Sequence, residues 1–118
     1  MQKVDHSSGR ITVHVLDTVR GRGAVGVGVV LFRVDGDMRK VLARTQTNKD
    51  GRTDDPLIDG ADLHSGIYEV TFDIGAWAGA SSDFWDIVPI RFRVNDSAGH
   101  YHIPLLISPY GYTTYRGT

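Results

Sequence analysis

Apolar and polar residues alternate along most of this chain with a period of two, the signature of half-buried strands. In "RITVHVLD", Ile11, Val13 and Val15 share one face, and Thr12, His14 and Leu16 share the other. "VGVGVVLFRV" continues the pattern with Val25, Val27, Val29 and Leu31 in phase, and "KVLARTQT" is a third candidate strand. "GIYEVTFDI" aligns Tyr68, Val70, Phe72 and Ile74. "VPIRFRVN" sets Val88, Ile90, Phe92 and Val94 opposite Arg91 and Arg93. "HYHIPLLIS" sets Tyr101, Ile103, Leu105 and Ile107 opposite His100, His102 and Ser108. "GYTTYRG" is a last short strand of good strand formers. Gly- and Asp-rich reversals ("VRGRGA", "VDGD", "NKDGR", "NDSAGH") separate the runs. Such spacing predicts an all-β, two-sheet antiparallel sandwich. Only the Ala-rich "GAWAGASSDFW" breaks the alternation, and it predicts one short helix.

Composition narrows the picture. At 118 residues and 41% hydrophobic, a single domain spanning 1–118 is expected, with 1–9 as a flexible N-terminal extension. A chain of this size buries roughly two-thirds of its unfolded surface, enough for a core without staples. There is no cysteine, which removes disulfides and thiol chemistry and fits a reducing compartment. The formal charge of −1 is spread without a basic stripe, so nucleic acid is not an expected partner. Nothing resembles a secretory leader, and no apolar run approaches a membrane span, so no membrane association and a cytoplasmic location are expected.

The alternation also isolates the chemistry. His14, His100 and His102 project away from the apolar faces, onto an outer sheet surface where a ligand or second subunit would sit. Taken singly, each reads as a solvated surface histidine. His100 and His102 at i, i+2 match a metal pair with His14 as third ligand, yet no Asp or Glu flanks them in the strand, and no metal is expected. His6 and His64 read as incidental. Nucleophile-elbow and phosphate-loop motifs are missing, and the glycines of "VGVGVV" read as allowing close sheet packing. Any catalysis would then be water activation by histidine, with arginine holding an anionic or carbonyl-rich substrate. The residues alone stop at a β-sandwich with an exposed His/Arg/Tyr surface.

Three segments add a resemblance. "TVHVLDTVRGRGAVGV", "TNKDGRTD" and "HYHIPLLISPYGYTTYRGT" are similar, in order, to 5-hydroxyisourate hydrolases, the transthyretin-related enzymes of purine breakdown. "SGIYEVTFDIGAW" resembles that family's strand-then-helix segment, and Tyr115-Arg116-Gly117-Thr118 resembles its terminal Tyr-Arg-Gly-Ser, with threonine for serine. Transthyretin carriers share the fold, but His14, Arg52, His102 and the C-terminus resemble the enzymes at all four points. The resemblance implies a transthyretin-like sandwich, assembled as a homotetramer (a dimer of dimers) with active sites at subunit interfaces. It implies hydrolysis of 5-hydroxyisourate to 2-oxo-4-hydroxy-4-carboxy-5-ureidoimidazoline in urate degradation, with no cofactor. On that reading His14, Arg52, His102 and Thr118 are catalytic, and Tyr115, Arg116 and Gly117 bind substrate. The alternative is a non-catalytic carrier or binding module on the same sandwich.

Overall fold

The computed structural model describes residues 9–81 and 83–118. Its strands are β1 (Arg10–Asp17), β2 (Arg22–Gly23), β3 (Gly28–Asp35), β4 (Met38–Gln46), β5 (Ile58–Asp59), β6 (Gly66–Asp73), β7 (Ile87–Val94), β8 (His100–Ser108) and β9 (Gly111–Thr114). One sheet runs β2-β1-β8-β9, with β5 also pairing to β1, and the other runs β4-β3-β6-β7. The two sheets form the expected sandwich. Ile11, Val13 and Val15 of β1 and Tyr101, Ile103, Leu105 and Ile107 of β8 pack against Val29, Leu31, Tyr68, Val70 and Phe72 of the other sheet, all nearly inaccessible. Burial of that apolar area drives the fold, and the period of two decides which face each residue supplies.

One pairing departs from the antiparallel expectation. β1 and β8 run parallel, with Thr12 opposite His102 and His14 opposite Pro104. The chain leaves the first sheet after β2 and makes its final return to it at β8, and so long a connection can bring a strand back in either direction. The consequence for function is direct, because residues almost ninety apart in sequence become neighbours on one outer face.

Several boundaries also moved. Val25 is 58% exposed, and the strand after it begins at Gly28, because Gly26 turns the chain at φ +82. The expected short helix, α1, spans Ile74–Ala78 and so takes only the first residues of the Ala-rich stretch, and Asp73 caps it by accepting a hydrogen bond from the Ala76 amide (3.1 Å). A 3₁₀ turn follows at Gly79–Ser81. The last strand stops at Thr114, before the terminal tetrapeptide. The proposed N-terminal extension and His6 lie outside the described residues, apart from Gly9, which is buried and accepts the Gly60 amide. Among the described residues no helix is long and apolar enough to cross a membrane.

Candidate active site

Local turn chemistry places the first functional group. In "TNKDGR" the Asn48 side chain accepts the amides of Asp50 (2.9 Å) and Arg52 (3.2 Å). The Asn48 and Gly51 backbones close the turn by bonding to Arg52 and Asn48. Gly51 sits at φ +77, and a Cβ there would lie 2.2 Å from the Val15 carbonyl oxygen. Only glycine allows both that backbone angle and that approach. The Val15 amide then donates to the Gly51 carbonyl at 2.7 Å, stapling the loop to β1. As a result Arg52 bridges antiparallel to His14.

The loop also orients His14. Its Nε2 lies 3.0 Å from the Asp50 carbonyl oxygen, which only accepts. The neutral ring therefore carries its proton on Nε2 and leaves Nδ1 unprotonated.

On β8, His100 and His102 stand two residues apart with ring centroids 5.9 Å apart. Between them lies Thr12 of the parallel neighbour β1. Its Oγ1 is 2.7 Å from His100 Nε2 and 2.8 Å from His102 Nδ1. The other ring nitrogen of His102, Nε2, makes no hydrogen bond among the described residues.

The C-terminus closes the site from behind. The Gly117 amide donates to the His102 carbonyl at 2.8 Å. A side chain at 117 would collide with the ring, since a Cβ would fall 2.6 Å from His102 Cδ2. The chain end thus lies flat against His102 and delivers Thr118 to the mouth of a cleft of about 340 Å³. Thr12, Arg52, His100, His102 and Thr118 line that cleft, together with Asp54 and Asp55. A smaller cavity of about 120 Å³ near Trp77 has only the Asp17–Arg20 pair as charged groups, and these bond to each other at 2.9 Å.

Electrostatics favour a neutral base beside a cation. The His102 pKa is lowered from 6.5 by partial burial, then by Arg52, His100 and His14. His14 is lowered by burial and by Arg52, against weaker upward pulls from Asp50. The Arg52 guanidinium forms no ion pair among the described residues, so its charge is available to a ligand.

The residues expected to form the site therefore divide. Arg52, His102 and Thr118 share the cleft, His14 flanks it along the sheet, and Gly117 backs it. Tyr115 and Arg116 line a separate groove with Ile90, Phe92 and Tyr101. There Arg116 lies over the Tyr101 ring at 4.3 Å and reaches the His100 carbonyl at 3.4 Å. Thr12 and His100 were not among the residues expected to act. The i, i+2 histidine pair was visible, but its partner Thr12 appears only once β1 and β8 are seen to pair in parallel register.

Comparison with known proteins adds to this geometry. The chain is 48% identical over 117 residues to 5-hydroxyisourate hydrolase 2 of Rhizobium meliloti, covering 94% of this chain and 98% of that one. It superposes on the structure of Klebsiella pneumoniae 5-hydroxyisourate hydrolase with a TM-score of 0.80 and 34% identity, covering 93% and 99% of the two chains. It also superposes on (S)-allantoin synthase with a TM-score of 0.87 and 35% identity, covering 95% of this chain but 44% of that longer one. A model of the HIUase/Transthyretin family matches residues 11–117. With nearly every residue of the sandwich and its histidine face inside that match, the chain belongs to the HIUase/Transthyretin family.

Proposed function

We propose that this protein hydrolyses 5-hydroxyisourate, opening the ring amide between N1 and C6 to give 2-oxo-4-hydroxy-4-carboxy-5-ureidoimidazoline. Relatives and a structural neighbour carry the name of that activity. The observation that carries the reading is one cleft holding a histidine kept neutral and an arginine with no carboxylate partner. His102 Nε2 takes a proton from water as the oxygen attacks C6. The carbonyl oxygen becomes an oxyanion facing the Arg52 guanidinium, which stabilises the charge as it develops. Collapse of the intermediate breaks the C6–N1 bond, and His102 returns its proton to N1. The Thr118 hydroxyl and His14 help to orient the water, His14 being kept neutral by burial and by Arg52. No cofactor enters this scheme, in which His102 and Arg52 supply the base and the oxyanion partner.

The working assembly is a homotetramer, a dimer of dimers, in the cytoplasm, a compartment that a chain without cysteine fits. The open edges support assembly. β7 and β9 end their sheets at the same side of the sandwich, where Trp85 meets Tyr112 edge-on at 5.1 Å. Phe84, Ile87, Tyr110, Tyr112 and Tyr115 are all exposed there. The opposite edge strand, β4, instead carries Arg39, Lys40 and Arg44, which discourage pairing. In the tetramer Tyr115, Arg116 and Gly117 contribute to substrate binding at clefts shared between subunits.

The test is direct. 5-Hydroxyisourate is generated from urate with urate oxidase, and its ultraviolet decay is followed with and without the protein, the spontaneous decay being run alongside. Wild type should accelerate the decay, and His102→Asn should lose ~10²–10⁴-fold of that acceleration. A folded wild-type protein that leaves the decay unchanged points instead to the carrier reading.

A further inference from the structure

We propose that Thr12 is a positioning residue for the hydrolysis, its hydroxyl joining His102 to His100 in a hydrogen-bonded chain that holds His102 Nε2 unprotonated as the base. The inference rests on the hydrolase reading for its kinetic part alone.

Proton counting supplies the argument. A threonine hydroxyl has one proton to donate and two lone pairs. Thr12 Oγ1 lies within hydrogen-bond distance of two ring nitrogens, His100 Nε2 at 2.7 Å and His102 Nδ1 at 2.8 Å. With both rings neutral, it can donate to one and accept N–H from the other, in two polarities, or accept N–H from both. If Thr12 donates to His102 Nδ1, the proton of that ring sits on Nε2, which then cannot act as a base. If Thr12 donates to His100 Nε2, His102 carries its proton on Nδ1, and Nε2 faces the cleft with a free lone pair. Accepting N–H from both leaves the His102 proton on Nδ1 just as this second polarity does.

The second polarity is the productive one, and it is not the tautomer an unconstrained imidazole prefers. His100 makes it possible by remaining a neutral acceptor. Partial burial lowers its pKa, and so do Arg10 on β1 and Arg116 at the chain end, the cations that face it. When His102 Nε2 takes the proton from water, Nδ1–H continues to donate to Thr12. The imidazolium that forms is thereby held by a hydroxyl already polarised toward His100. The arrangement does with a neutral hydroxyl–imidazole pair what a carboxylate does behind a catalytic histidine, orienting the ring and selecting its tautomer. Gly117 lies so close beside the ring that a Cβ there would fall 2.6 Å from Cδ2, which leaves the ring little room on that side.

The test compares Thr12→Val, which keeps the shape without the hydroxyl, with Thr12→Ser, which keeps the hydroxyl. Nitrogen-15 NMR of His102 above its pKa reads the tautomer with no substrate present. Wild type and Thr12→Ser should carry the proton on Nδ1, and Thr12→Val should shift it toward Nε2. In turnover, Thr12→Val should lose about tenfold in kcat with KM nearly unchanged, and Thr12→Ser should stay within about twofold of wild type. A wild-type His102 protonated on Nε2 overturns the proposal. So does a Thr12→Val enzyme with wild-type kcat and tautomer, or a Thr12→Ser enzyme as slow as Thr12→Val. Should no form of the protein accelerate 5-hydroxyisourate decay, the hydrolase reading fails, while the NMR comparison still decides whether Thr12 sets the His102 tautomer.

Discussion

His102 and Arg52 form the central pair of the cleft, and their coupling has a pH signature. Burial and then Arg52 lower the His102 pKa below 6.5, so the neutral base survives to pH values at which a free histidine would be protonated. Activity should be full near neutrality and fall as pH drops through the lowered pKa. Replacing Arg52 with Gln removes a nearby positive charge, which makes protonation of His102 easier and raises its pKa. Its acid limb in kcat/KM should therefore lie at higher pH than that of wild type, on top of a lower maximal rate from the lost oxyanion partner. The shift should stop short of the free value, because the desolvation remains. A limb that stays put in Arg52→Gln would separate the arginine from the base. Alternation put His102 on an outer face together with His14 and His100, and the family resemblance singled out both His102 and Arg52. Thr12 was not legible, because a threonine on an outer strand face has no signature until its neighbours are known.

Among the elements, the 48–52 loop and the chain end do most to shape the site. Asn48 and Gly51 shape a reversal that binds to β1 through the Val15 amide and presents Arg52 next to His14. Gly51→Ala forces a side chain into the Val15 carbonyl at a backbone angle that alanine disfavours. We expect it to cost about 1–3 kcal/mol of stability, read from urea unfolding. It should also weaken kcat/KM for 5-hydroxyisourate more than an exposed Lys49→Ala does, since Arg52 is displaced. Equal activities for the two variants would mean that the loop tolerates movement. The turn itself could be read from "NKDGR", but its docking onto β1 could not. The same holds for the chain end, where "GYTTYRG" reads as one strand but β9 stops at Thr114. Only Gly117 bridges back, as a single contact on His102, and Tyr115 and Arg116 turn into the neighbouring groove.

At the scale of the whole molecule, the sandwich leaves one side chemically unfinished. The β7 and β9 edges carry exposed aromatic and aliphatic side chains, with Tyr110 73% and Ile87 46% accessible. In the proposed tetramer, surface charges there should block assembly without harming the core. An Ile87→Lys, Tyr110→Lys variant should keep its far-ultraviolet spectrum, while its mass in sedimentation falls below four 13.0 kDa chains. Loss of 5-hydroxyisourate turnover in that smaller species would place the working site between subunits, and full turnover would make each sandwich self-sufficient.

What the chain carried openly was local: which residues face inward, where it reverses, and which polar side chains the alternation turns outward. Those follow from the two-residue repeat of a strand and the conformational freedom of glycine, both readable within a few positions. Packing alone decided that β1 and β8 lie side by side in parallel. That pairing gathers Thr12, His100 and His102 into one hydrogen-bonded chain, with the glycine turn setting Arg52 beside His14. Side-chain alternation specifies a face but not a neighbour. The neighbour depends on which strands bury the most apolar surface together, and that is a property of the folded whole.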